Sequence, residues 1–256
     1  MERINHVLPD WTRTQWTSIE NKTKYEPILN SIISAWRTIE RMSVVHDLRL
    51  STLDIIGSNE LEPLTNEYKQ YGVHVVPLAR EGVSMSYSST SAPYETGKPY
   101  NIRVVFTKSE ELAKEWYALW NTAPLDNRRV GQLLGYPECC IDFYLQYWVE
   151  QRFVDTSWVM AAHHIQTLVT NNTIHIKPDT PLECNILWRW QGVRLVSHLP
   201  CSFECKHTQQ IGHANALLGH KLGFETEVNW IYEFLSWPVE WSGLHGIAEI
   251  RTPINK

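Results

Sequence analysis

The amino-acid sequence predicts an α+β protein: a mixed N-terminal sheet region followed by a mainly helical C-terminal half. Three observations lead there. Short β-branched runs bounded by turn residues concentrate before residue 108. Beyond it, Gly- and Pro-bounded segments carry apolar residues three or four apart. Of the 256 residues, 43% are hydrophobic and 20% charged, a balance that supports a packed core.

The elements follow in order. Pro27 precedes Ile28, Ile32, Ile33, Trp36 and Ile39, so the spacing predicts an amphipathic helix from Glu26 to Met42 with Pro in its first turn. Strands are expected at Val44 to Arg49, Leu53 to Ile56 and Gly72 to Leu78. Polar Asn59 to Gln70 reads as a helix between the last two, giving a strand–helix–strand unit. Residues 81–101, rich in Ser, Pro and Gly, read as a long loop, and its part 84–97 is a candidate lid over a substrate. Ile102 to Thr107 alternates as a strand, and Thr107 or Ser109 caps a helix with Leu112, Trp116 and Leu119 on one face.

Helices then dominate: Asn127 to Leu134 ended by Gly135, a second opened by Pro137, a third from Thr156 to Thr170, then Ser202 to Leu222 and Glu227 to Leu235. Leu187 to Leu199 fits either a strand or a helix. The expected organisation is an α/β region over 1–108 and a helical, Cys-containing region over 109–256, as two units or one. The 12 Trp are spread along the chain and read as core in preference to a base-stacking platform.

Charge and composition exclude several classes. With 23 Lys+Arg against 28 Asp+Glu and a net charge of -5, binding to nucleic acid by bulk electrostatics is not expected. The start, Met1 to His6, lacks an apolar signal segment, and no apolar run is long enough to span a bilayer. The expectation is a soluble, cytoplasmic protein without membrane contact, in a compartment where cysteines serve as metal ligands or reactive thiols. No dinucleotide, P-loop, nucleophile-elbow or zincin motif occurs.

Four of the five cysteines fall in two Pro-marked segments. One is Leu134-Gly135-Tyr136-Pro137-Glu138-Cys139-Cys140-Ile141-Asp142-Phe143; the other is His198-Leu199-Pro200-Cys201-Ser202-Phe203-Glu204-Cys205-Lys206-His207. Each reads as Pro followed by two Cys in the opening turn of a helix. There the unsatisfied N–H groups are expected to make a thiol more acidic. Cys201 and Cys205, four apart, share a helical face.

If the two starts face each other, Cys139, Cys140, Cys201 and Cys205 converge on a zinc ion or an iron–sulfur cluster. Adjacent cysteines suit a cluster and strain a single tetrahedron. The alternatives are reactive thiols without metal and plain core cysteines, the latter being the reading for Cys184. His207 and His213 are candidates to complete a mixed site or to act as general acid or base. Glu138, Asp142 and Glu204 are candidate proton carriers or ordinary helix-dipole partners. Lys206 is placed to steady a thiolate or bind an anion. Arg128 and Arg129, with Tyr136 downstream, are the candidate anchor for a phosphate or carboxylate, and Arg103 a further one.

The pair of segments resembles an uncharacterised family of prokaryotic and phage proteins that joins a Gly-Tyr-Pro-x-Cys-Cys segment to a later Pro-Cys-Ser-x-x-Cys. The resemblance covers residues 130–222. It implies that the four cysteines form one site, and implies no activity. Pro200-Cys201, Lys206 and His213 bear a fainter likeness to archaeosine synthase, with the Lys displaced by one residue and His207-Thr208 where that family has Pro-Tyr. The expected function is a metal-dependent enzyme acting on a small polar or anionic molecule, a nucleobase or nucleotide among the options. The alternatives are a binding or scaffold protein stapled by metal or buried Cys, and a metal-free thiol enzyme. In the last, Cys139 or Cys201 is the nucleophile and His207 or His213 the base.

Overall fold

The computed structural model describes residues 14–15, 19–83, 93–151, 159–160, 168–170, 173–176, 181–237, 239–242 and 247–251. After β1 (Thr14–Gln15) comes α1 (Ile19–Val45), a helix of 27 residues. It begins ahead of Pro27, which costs it only the bond to the Thr23 carbonyl. It also takes the first two residues, Val44 and Val45, of the segment expected as a first strand, and the rest of that segment is a turn. Val44 is fully buried beneath the sheet, and that burial overrides its β preference; the chain turns only at Asp47, with φ 58°.

The first sheet comprises β2 (Ser51–Gly57), β3 (His74–Gly82) and β4 (Tyr100–Thr107), with α2 (Leu61–Lys69) between β2 and β3. The order is β2-β4-β3 and both pairings are antiparallel, so the expected strand–helix–strand unit is split by the later strand. The register shifts between Pro77 and Ala79, on an edge strand where a missing N–H is tolerated. β4 alternates strictly. Ile102, Val104 and Phe106 pack on Val44, Leu64 and Tyr68, while Val105 meets Trp116, Leu133 and Leu134 on the other face. Trp116 belongs to α3 (Glu110–Trp120), capped by the Ser109 hydroxyl, which accepts from the Leu112 N–H. Its indole donates to Ser51 Oγ at 2.9 Å, satisfying a buried donor.

The helical part comprises α4 (Asn127–Leu133), α5 (Glu138–Tyr144) continued by a π turn at Leu145–Glu150, α6 (Lys206–Lys221) and α7 (Glu225–Ser236). Its core joins Ile32, Trp36 and Ile39 of α1 to Trp188, Phe203, Phe234 and Trp237. Trp36, Trp116, Trp188 and Trp237 are thus core residues. Leu187 to Leu199 is neither strand nor helix: a 3-10 turn at Arg189–Gln191 ends at Gly192, in the left-handed region at φ 79°. A Cβ there would lie 2.4 Å from Ile33 Cγ1, so only glycine lets the chain pass this close to α1.

A second sheet has the order β1-β8-β7-β6-β5 and uses β5 (Leu168–Thr170), β6 (Thr173–Ile176), β7 (Val239–Ser242) and β8 (Ile247–Arg251). The fold class is α+β with a mainly helical C-terminal half, to which these short strands are an addition. Of the helix expected at Thr156 to Thr170, 168–170 form β5, and 156–158 and 161–167 lie outside the described residues, as do 84–92 of the expected lid. Among the described residues, no helix is long and apolar enough to cross a membrane.

Candidate metal centre

The first arm of the site is set by a helix stop and a helix start. Gly135, at φ 70°, closes α4 with its N–H on the Gln132 carbonyl, while the Tyr136 N–H reaches the Gly131 carbonyl. Pro137, extended at φ -61° and ψ 138°, then opens α5, and its carbonyl accepts from the Cys140 and Ile141 N–H groups. Cys139 and Cys140 are therefore the second and third residues of α5, as the sequence predicts. The second arm is different. Cys201 lies ahead of α6, which begins at Lys206, and a turn with the Cys205 N–H on the Ser202 carbonyl brings Cys201 and Cys205 together. Cys205 is the residue that precedes the first turn of α6. The expected shared helical face is absent, because burial of Phe203, 1% exposed, holds the segment in a turn.

The sulfurs nevertheless converge. Cys139, Cys140, Cys201 and Cys205 have Sγ atoms all within 4.8 Å of one another, so they can hold a metal ion. Cys139–Cys140 is 3.9 Å, Cys139–Cys205 is 3.8 Å and Cys140–Cys205 is 3.7 Å, and none of the four is in a disulfide. Any wider spacing belongs to Cys201. The adjacent cysteines thus sit at ordinary ligand separation.

Acidity is distributed unevenly. The Cys205 thiol is pushed far down, first by a hydrogen bond from Cys140 and then by one from Cys201, with the Thr208 hydroxyl and N–H adding to them. The Cys140 thiol is pushed far up, because donating to Cys201 and Cys205 and being buried both favour its protonated form. This reverses the expectation for Cys140: neighbouring thiols and burial outweigh the helix end. Cys201 is raised to about 12 overall; its contact with Cys140 works against the rise, which comes from Cys205 and burial.

Three residues around the sulfurs were not singled out by the sequence motif. Cys184, fully buried, donates its S–H to the Cys205 carbonyl at 3.4 Å and packs on Cys140 and Cys205, so it is more than general core filling. Thr208 places Oγ1 3.5 Å from Cys140 Sγ and 2.9 Å from His198 Nε2. His198 is 5% exposed, and burial followed by the nearby Arg49 charge lowers it to about 3. A neutral ring protonated at Nε2 donates to Thr208 and leaves the Thr208 proton for sulfur. His198 opens the second segment, two residues ahead of Pro200, which was the available signal; nothing in the spacing marked Thr208.

The other expected site residues occupy the rim. His207 is exposed with Nδ1 3.7 Å from Cys139 Sγ. His213 is exposed six residues further along α6, about 9 Å along the axis, and is not brought to the sulfurs. Lys206 and Glu204 are exposed. Arg128 pairs with Glu138 at 2.9 Å and with Asp142, while Arg129 is held bidentately by Glu115. Both guanidiniums are therefore engaged within the protein. Arg103 is likewise paired with Glu81. Tyr136 turns inward, its ring 5.1 Å from that of His198 and the Arg49 guanidinium 5.8 Å away. Arg49 donates to Ser197 Oγ, which bonds Glu40 of α1, tying the rear of the site to the first half of the chain.

Residues 121–221 match the family model described as a protein of unknown function (DUF483). The resemblance to an uncharacterised family therefore holds over that stretch. It spans α4, α5, both cysteine arms and all of α6, and so includes all four clustered cysteines. No curated protein and no solved structure matches the chain.

Proposed function

We propose that the four cysteines hold a single tetrahedral metal ion, zinc by the donor set, and that this ion fastens α5 to the entry of α6 in a binding or scaffold protein. The observation that carries the reading is the sulfur spacing. Metal–sulfur bonds of about 2.3 Å in a tetrahedron put neighbouring sulfurs about 3.8 Å apart. Three of the pairs stand at 3.7–3.9 Å. Two sulfurs on one ion lie at most two bond lengths, about 4.6 Å, apart, and all four sulfurs lie within 4.8 Å of one another. A cluster interposes metal–metal distances between its ligands and needs a wider ring than this.

A shell of four cysteines leaves no open position, which is the pattern of structural sites. The protein around it is organised for support: Cys184 braces the Cys205 carbonyl and Thr208 turns its hydroxyl to Cys140. The ion would neutralise thiols that otherwise compete for protons, and its binding free energy would add to folding. The exposed Cys139–His207 pair favours a second reading, a thiol or metal-dependent enzyme acting on a small anionic molecule, with Cys139 as nucleophile and His207 as base.

The test is elemental analysis of protein purified without added metal, beside Cys205→Ser. One zinc per chain is expected, lost in the variant together with part of its thermal stability. Metal-free wild-type protein, or iron accompanied by acid-labile sulfide, would overturn the single-ion reading.

A further inference from the structure

The four sulfurs are not equivalent. Cys140 and Cys205 are 2% and 6% exposed. The first faces the Thr208 hydroxyl and the second has its carbonyl held by Cys184. Cys139 is at the surface, and its neighbour there is His207, whose Nδ1 stands 3.7 Å from the sulfur. With bonds of about 2.3 Å to sulfur and 2.0–2.1 Å to imidazole nitrogen, a tetrahedral ion sets its S and N ligands about 3.6 Å apart. The imidazole is thus at the distance of a fellow ligand, although the group within 4.8 Å of one another contains only the four sulfurs. A fifth donor thus stands beside Cys139, at the edge of the four-sulfur group.

We infer that His207 is a spare donor and Cys139 the exchangeable one, so that the fourth coordination position passes between the Cys139 sulfur and the His207 nitrogen. The inference rests on the single-ion reading and adds a function to it: Cys139 becomes a modification site for soft electrophiles whose reaction does not release the metal. In the exchange one metal–sulfur bond breaks, one metal–nitrogen bond forms, and Cys139 leaves as a thiolate. No electron is transferred. Replacing a thiolate by a neutral imidazole relieves one unit of the negative charge that four thiolates place on a divalent ion. Both groups ride on the second residue of their helices, Cys139 on α5 and His207 on α6, and both side chains face solvent. The swap therefore needs side-chain rotation and leaves the backbone of both arms in place. Cys140, Cys201 and Cys205 keep the ion throughout.

The test uses the zinc-loaded full chain and iodoacetamide, which forms an S–C bond as iodide departs. Peptide mass spectrometry locates the adduct, and a chromogenic chelator reports released zinc. One adduct on Cys139 with zinc retained is expected. The same alkylation of His207→Ala, a substitution at an exposed position, is expected to release the ion. As a second arm, Cys139→Ser loaded with cobalt(II) should still bind one ion, with its thiolate-to-metal absorption reduced by about a quarter as one of four sulfurs is lost. Zinc release from the wild-type chain upon Cys139 alkylation, first reaction at Cys201, or zinc retention by alkylated His207→Ala would each overturn the exchange. A wild-type chain that binds one ion but loses it on alkylation refutes the exchange alone. A chain that binds none refutes the single-ion reading as well.

Discussion

Replacing Thr208 by Val removes one hydroxyl while keeping the shape of the side chain. That hydroxyl is fully buried, 2.9 Å from His198 Nε2 and 3.5 Å from Cys140 Sγ. The other ring nitrogen of His198, Nδ1, is buried without a hydrogen-bond partner among the described residues. Thr208→Val therefore strands the second ring nitrogen in a buried site, a loss of about 1–3 kcal/mol. For a chain of this size each kcal/mol moves the melting temperature by roughly 2–4 °C, so the expected fall is about 2–12 °C. Thr208→Ser keeps the hydroxyl and loses only a methyl, about 0.5–1.5 kcal/mol. The assay is thermal unfolding by circular dichroism, with saturating zinc and again with a chelator, because the His198 bond does not depend on metal. A melting temperature for Thr208→Val within 1 °C of wild type, or a larger fall for Thr208→Ser than for Thr208→Val, would refute the hydroxyl's part in this chain.

Two further outcomes are expected. His198 lies at about 3 in the folded protein, below the ordinary histidine value, because burial and then Arg49 disfavour its charged form. Between pH 6.5 and 3 the unfolded chain takes up a proton that the folded chain refuses, so stability falls by about 1.4 kcal/mol per pH unit as pH drops through that window. In chelator-treated protein, His198→Gln should flatten this slope by about one proton, and denaturation curves of unchanged steepness against pH would count against it. Gly192→Ala should cost roughly 2–5 kcal/mol, from left-handed backbone strain and the 2.4 Å approach to Ile33. An unchanged denaturant midpoint would show that the turn relaxes freely.

What was legible in the sequence divides along physical lines. β2, β3, β4 and α3 announce themselves through local periodicity and a Ser109 cap, so their expected positions match closely. Val44 misled because a β-branched pair at a helix end looks like a strand until the sheet that buries it is known. The irregular path through Gly192 depends on its contact with Ile33, more than 150 residues away, which no local pattern encodes. At the site, Pro137 and Pro200 marked two cysteine arms, and convergence followed. The second arm was misread because a four-residue spacing fits a turn as well as a helix. Cys184 looked like any buried cysteine, and Thr208 like any helical threonine, since their roles arise only when α6 meets the turn at Leu182–Cys184.

The most direct measurement is X-ray absorption at the metal edge of the purified, metal-loaded chain. A single ion held by Cys139, Cys140, Cys201 and Cys205 predicts one shell of four sulfurs at about 2.3 Å and no second metal scatterer. A metal–metal shell, or a first shell dominated by oxygen and nitrogen, would contradict the account.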